Sequence, residues 1–304
     1  MILAAGLGTR LRPLTDELPK PLVWIGDQPM LVHVVLCLAA GGVTAAALNT
    51  HHLAEAFVEP MLRSLPIPVS LFHEPTILGT AGGVTNAASA LGAGEVVVWN
   101  GDILADLDIG ELRARHLHAG AAATLAVAPR ACGEGTVGLD AAGDVVRLRG
   151  ERFGAEAAGG DFLGIQVIGE ALRSRLPASG CLVGDGYLPA LRRGERVASS
   201  LVSASWSDVG TIGAYLAANR RWLARLGRAA FVGPGASIAE GVDLAGSVIG
   251  AGAIVQGRGA LRGCVVWPGA TATAPLDEAV VTSGGRVAHQ AAAPPVTSGT
   301  RSPR

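Results

Sequence analysis

The chain has 304 residues, enough for one large α/β domain or two smaller ones around a substantial core, which excludes a peptide or a small cross-linked scaffold. Only 16% of the residues are charged, glycine occurs 43 times and the formal net charge is -1, so a basic nucleic-acid-binding surface is not expected. The four cysteines, Cys37, Cys132, Cys181 and Cys264, are scattered without a Cys-x-x-Cys pair, which fits neither a zinc site nor a disulfide framework and points to reduced thiols and a cytoplasmic setting.

Short apolar runs rich in β-branched residues alternate with helical stretches from the start. Ile2 to Ala5 reads as a strand, Leu31 to Ala40 as a helix and Thr44 to Leu48 as the next strand. Met30 to Asn49 is nearly chargeless and almost long enough to span a bilayer, but Gly41-Gly42 divides it and His33 lies inside, so we read a buried helix running into a buried strand, and expect no membrane association. A secretory leader is not expected either. Val69 to Phe72 is a further strand, Thr80 to Leu91 a helix, and Glu95 to Trp99 a strand ending in Asn100-Gly101-Asp102. This alternation predicts a doubly wound, mostly parallel sheet with its active residues at the carboxyl ends of the strands. From Ala121 to Ile168 strands dominate, predicting antiparallel pairing, and helical pattern returns over Thr211 to Leu226.

Beyond Phe231 aliphatic residues recur every six positions: Val232, Ile238 and Leu244, then after a one-residue slip Ile249, Val255 and Leu261. Small residues fill the intervals, the pattern of a hexapeptide-repeat β-helix. The expected organisation is a catalytic domain over residues 1–226, a short β-helix over 231–282 and a disordered tail over 284–304. So short a coil segment must pack on the catalytic domain or on a partner subunit, which makes a homo-oligomer through the β-helix an expectation.

The densest chemical signal is Leu3-Ala4-Ala5-Gly6-Leu7-Gly8-Thr9-Arg10-Leu11-Arg12-Pro13-Leu14-Thr15, followed by Pro19-Lys20-Pro21-Leu22. A strand ending in Gly-x-Gly offers backbone N–H groups to a phosphate without side-chain obstruction. It is not a Walker A loop, which needs Gly-Lys-Ser/Thr, nor the dinucleotide fingerprint, which needs a third glycine where Leu11 stands. Among 24 basic residues Lys20 is the single lysine, so arginine has replaced lysine everywhere except inside this motif. The exception argues for a compact ammonium at that point.

On these residues the chain resembles the sugar-1-phosphate nucleotidylyltransferases. The resemblance continues in Asn49-Thr50-His51-His52-Leu53, Glu74 to Gly83, Asn100 to Leu104, Phe162-Leu163-Gly164-Ile165 and Trp206 to Thr211, covering residues 1–226, and the hexads resemble the left-handed β-helix that many members carry. The most similar branch contains mannose-1-phosphate guanylyltransferases and N-acetylmuramate-1-phosphate uridylyltransferases. Only five residues precede Gly6, where members carry a few more, so the natural start is expected upstream of Met1.

The resemblance implies a Mg²⁺-dependent transfer of a nucleoside monophosphate from a triphosphate to a sugar-1-phosphate, with release of pyrophosphate. Arg10 and Lys20 are the implied catalytic cations, and Asp102 and Asp208 the implied metal ligands. The nucleotide would lie against Leu3, Ala5, Gly6, Gly8, Thr9, Glu74, Gly79 and Thr80. Arg12 is read as an outer residue, Asp108 as the N-cap of the following helix, and histidines 51, 52, 73, 116 and 118 as surface or core residues. Members carry Glu-Lys-Pro before the Phe-x-Gly-Ile motif. Here Val145 to Gly160 holds no lysine and offers Arg147, Arg149 and Arg152, so Arg149 with Gly164 is the expected sugar-phosphate contact.

Glu74 matches the family's base-reading position, where thymidylyl and uridylyl enzymes often carry Gln. A carboxylate only accepts hydrogen bonds, and guanine offers adjacent N1–H and N2–H₂ donors. The expected substrates are therefore GTP and mannose-1-phosphate. The alternatives are UTP or dTTP with N-acetylmuramate-1-phosphate or glucose-1-phosphate, since uridylyl members can also carry Glu here. A non-catalytic regulatory homologue would be favoured by loss of Arg10, Lys20, Asp102 or Asp208, and all four are present.

Overall fold

The computed structural model describes residues 1–289 of the chain, which divide into two compact units, 1–210 and 211–289 among the described residues. In the first unit ten strands form one sheet: β1 (Ile2–Leu3), β2 (Ala46–Thr50), β3 (Val69–His73), β4 (Val96–Asn100), β5 (Ala123–Arg130), β6 (Val137–Leu139), β7 (Val145–Leu148), β8 (Glu151–Arg152), β9 (Ala158–Ile168) and β10 (Val197–Leu201). The order β8-β7-β6-β9-β4-β1-β2-β3 is parallel from β4 to β3. Strand β9 is antiparallel to β4, β5 and β6, so the sheet is mixed rather than parallel throughout, and the strand-rich stretch after Ala121 is where the direction reverses.

The two faces of the sheet follow the two-residue period of a strand. Ile2, Leu48, Val97, Trp99, Ile165 and Val167 join one core cluster with Leu31, Val34, Val35 and Leu38 of α1 (Met30–Ala40), while Val96, Val98 and Ile168 join another with Ala81 and Val84 of α2 (Gly79–Asn86). Ile109 and Leu112 of α3 (Ile109–Ala119) lie in the first cluster. As the sequence predicts, Asp108 caps α3, its Oδ1 accepting from the Glu111 N–H at 3.0 Å. Burial on both faces makes β1, β2 and β4 near-continuous apolar runs.

In the second unit α4 (Ile212–Arg225) packs with short strands that stack in parallel ladders. Val232 pairs with Ile249 and Ile249 with Val266, while Ile238 pairs with Val255 and Val255 with Ala272. The one-residue slip in the hexads therefore brings successive coils into register, an arrangement compatible with a β-helix. Inside this unit the buried Trp267 indole donates to the Tyr215 hydroxyl of α4 at 2.9 Å, and Arg220 of α4 pairs with Glu278. The helix expected to close the first domain thus groups with the coils instead. Residues 284–289 are ordered, Val287–His289 pairing antiparallel with Ala279–Val281; the rest of the expected disordered tail, 290–304, lies outside the described residues. Among the described residues no helix is long and apolar enough to cross a membrane.

Candidate active site

A cleft of about 240 Å³ opens at the carboxyl ends of β1, β2 and β4. It brings together Leu3, Ala5, Gly6, Lys20, Glu74, Gly79, Thr80 and Asp102 of the expected site, together with Ala4, Pro21, Asn49, Ile77, Asn100 and Gly101. Open α/β sheets place ligands in this position.

Lys20 sits on a short 3₁₀ turn, Lys20–Leu22, and its ammonium lies 2.6 Å from Asp102 Oδ2 and 3.8 Å from Asp208 Oδ1. The lysine side chain is 12% exposed, the two carboxylates 32% and 46%. Asp102 and Asp208 are far apart in sequence and meet because Ile103–Ala105 pairs antiparallel with Trp206–Asp208, placing Asp208 opposite Ile103. The Val209 N–H donates to the Asp102 carbonyl at 3.0 Å, and the Trp99 indole donates to the Ile103 carbonyl at 2.8 Å, fixing the turn that presents Asp102.

Arg10 is exposed and forms no ion pair or hydrogen bond among the described residues. A Cβ on Gly210 would lie 3.0 Å from both Arg10 Nη2 and Asp208 Oδ1, so the guanidinium stands near Asp208. Its neighbour Arg12 is paired with Asp16 at 3.2 Å, in keeping with an outer role. Gly8 adopts φ +63, where a Cβ would meet Thr15 Cγ2 at 2.7 Å; together with Thr9 it forms the bend outside the cleft wall that carries Arg10.

Glu74, Thr80 and Arg149, all expected contacts, also have partners within the protein. Glu74 is fully buried: Oε1 accepts from Asn49 Nδ2 at 2.7 Å and Oε2 from the Leu78 N–H at 2.9 Å, so the carboxylate that the sequence offers to a base is engaged by the protein. The Thr80 hydroxyl accepts from the Leu182 N–H at 2.8 Å, and a Cβ on Gly79 (φ +76) would run into the Gly180 carbonyl, so the start of α2 is packed against the loop through Gly180. Arg149 lies on the turn between β7 and β8 rather than in the cleft, its Nη2 donating to Cys181 Sγ at 3.1 Å. Burial pushes the Cys181 thiol up, but hydrogen bonds from the Gly184 and Val183 N–H groups and from Thr80, with the nearby Arg149 charge, leave it below its ordinary value. Gly164 (φ +76) backs onto Asn100, with no room for a Cβ. The Arg147 guanidinium is taken up by Glu156 and three backbone carbonyls.

Asn49, Asn100 and Ile77 were not singled out as site residues from the sequence. Asn49 lies one residue before the end of β2 and Asn100 ends β4, strands that the apolar pattern locates, and a polar residue at that place is the available signal. Among the described residues no three His, Cys, Asp or Glu side chains cluster as a metal site. Two converging carboxylates suit Mg²⁺, which commonly takes one or two together with phosphate oxygens and water.

The Nucleotidyl transferase family model matches residues 1–152. The chain belongs to this family. A probable mannose-1-phosphate guanylyltransferase 1 from Oryza sativa subsp. japonica is 28% identical over 307 aligned residues, covering 96% of this chain and 83% of the relative. A mannose-1-phosphate guanyltransferase from Schizosaccharomyces pombe is 40% identical over 134 residues, 42% of this chain and 36% of the relative. Among solved structures, HddC from Yersinia pseudotuberculosis complexed with GMP-PN superposes with a TM-score of 0.61 at 24% identity, covering 73% of this chain and 97% of that one. UDP-glucose pyrophosphorylase from Acinetobacter baumanii gives 0.58 at 20% identity, covering 73% and 91%. These likenesses establish the shared fold.

Proposed function

We propose that this chain transfers a nucleoside monophosphate from a nucleoside triphosphate to a sugar-1-phosphate, releasing pyrophosphate. The observation that carries the reading is the Lys20 ammonium held between Asp102 and Asp208 in the cleft, with the unpaired Arg10 guanidinium near Asp208. Two anionic reactants must meet, so the protein has to supply positive charge and alignment rather than a nucleophile.

In the reaction an oxygen of the sugar phosphate attacks the α-phosphorus, a new P–O bond forms, and the bond to the bridging α–β oxygen breaks as pyrophosphate leaves. Lys20 moves from the carboxylates to the α-phosphate and sugar phosphate as they approach. Arg10 takes the charge that develops on the departing β- and γ-phosphates. Charge placed where it develops contributes about 10² to 10³-fold per donor. Asp102 and Asp208 would hold Mg²⁺, which when bound neutralises phosphate charge; they also orient Lys20. The backbone at Ala4, Ala5 and Gly6 leaves one cleft wall open to the nucleotide.

On the sugar side Arg149, beside the cleft rather than in it, would reach the sugar phosphate in place of the missing lysine once released from Cys181. Its tie to Cys181, which is hydrogen-bonded to Thr80 in the cleft wall, supports that role. GTP and mannose-1-phosphate are the expected pair, supported by the guanylyltransferase relatives whose alignments span most of the chain. Pyrophosphate release measured over a panel of nucleoside triphosphates and sugar-1-phosphates tests the reading. The expected result is turnover highest with that pair; release with another pair reassigns the substrates, and none with any pair overturns the reaction.

A further inference from the structure

Two adjacent histidines, His51 and His52, follow β2 directly, one contacting the cleft wall at Glu74 and the other the loop at Thr15. His52 Nε2 lies 2.7 Å from the Thr15 carbonyl oxygen, and His51 Nδ1 lies 2.7 Å from the Glu74 carbonyl oxygen. A carbonyl only accepts, so both ring nitrogens carry hydrogen and donate. Thr15 is fully buried and passes the contact on, its hydroxyl donating to the Gly8 carbonyl at 2.9 Å, which also accepts from the Leu11 N–H. His52 is thereby linked through one residue to the bend that carries Arg10. His51 grips the backbone of the residue whose carboxylate fixes Leu78 and with it the start of α2.

Leu53, the next residue, adopts φ +49, a left-handed conformation that is costly for a residue with a side chain. This sharp turn follows directly on two side chains that reach different segments, the loop at Thr15 and the cleft wall at Glu74. Surface histidines would need neither the paired carbonyl contacts nor the turn.

We infer that His51 and His52 are positioning residues that set the gap between the Gly8–Thr15 phosphate loop and the Glu74–Gly79 wall, His52 governing the transfer step and His51 nucleotide binding. The inference rests on the proposed nucleotidyl transfer for its kinetic consequences, while the clamp itself can be read without turnover.

The test compares H52F with H52Q, whose amide nitrogen can reach the position of Nε2, and H51F with H51N, whose amide nitrogen can reach that of Nδ1. In hydrogen exchange on the free protein, peptides over 8–15 should exchange at least tenfold faster in H52F and near the wild-type rate in H52Q. In pyrophosphate-release assays H52F should lower kcat about tenfold or more with a smaller change in KM for the triphosphate, whereas H51F should raise that KM about tenfold with kcat nearly kept. Each amide variant should recover to within about threefold of wild type. Unchanged exchange in H52F overturns the clamp, and equal behaviour of the phenylalanine and amide variants overturns the hydrogen-bonding role. If wild type turns over no substrate pair, the proposed function fails while the exchange result still decides the clamp.

Discussion

Asn49 donates through Nδ2 to Glu74 Oε1 at 2.7 Å while its own Oδ1 accepts from the Ala4 N–H at 2.7 Å, so a single amide ties β1 to the residue following β3. The orientation of Asn49 is fixed by these two contacts. Glu74→Gln would then set an NH₂ group against either Asn49 Nδ2 or the Leu78 N–H, both of which donate. Leaving a buried donor unsatisfied costs about 1–3 kcal/mol. The expected outcome is a lower urea midpoint and a fall in kcat/KM for GTP and UTP alike. A changed GTP-to-UTP ratio at unchanged stability would show instead that Glu74 reads the base.

Lys20→Arg keeps the charge but places a wide planar fork where a point charge sits between two carboxylates. Turnover should fall by about 10²-fold or more. Near-normal kcat in this variant would remove Lys20 from the transfer step.

Asp102→Asn and Asp208→Asn should each raise the Mg²⁺ concentration needed for half-maximal pyrophosphate release while leaving the circular dichroism spectrum unchanged. Should only one of them shift the titration, the metal is held by a single carboxylate.

His116 of α3 is buried, with Nδ1 3.0 Å from the Thr124 hydroxyl, and burial holds its pKa below the ordinary histidine value even though the charge of Glu95 pulls the other way. The fold therefore favours the neutral ring. The unfolded chain takes up a proton near pH 6.5, so this contribution is complete above that pH and is lost as the pH falls below it toward the lower folded value. Thermal melts at pH 7.5 and 5.5 should show a larger drop in Tm for wild type than for His116→Gln; equal drops would dismiss His116 as the cause.

The parallel half of the sheet is legible because strands buried on both faces and an amphipathic helix leave different apolar periods, which is why Met30 to Asn49 resolves into α1 and β2. The phosphate loop and Lys20 are legible because their chemistry is local in sequence. The Glu74 environment is not, since the side chain that engages it arrives from β2, and propensity is silent about which polar partners burial brings together. The meeting of Asp102 with Asp208 likewise depends on a short antiparallel pairing between distant segments, and only the family resemblance anticipated it. For α4 the helical pattern gives the element but not its partner: the contacts of Tyr215 with Trp267 and of Arg220 with Glu278 decide which unit it joins.

Because Lys20 is the chain's single lysine, an amine-reactive reagent has one side-chain target, and that target is the cleft. Acylation of Lys20 becomes an occupancy gauge: its rate falls when a phosphate ligand covers the ammonium, whatever the base or sugar. The same scarcity makes Lys20 a ready-made attachment point for a spectroscopic probe, with no engineered residue and no competing lysine to mask.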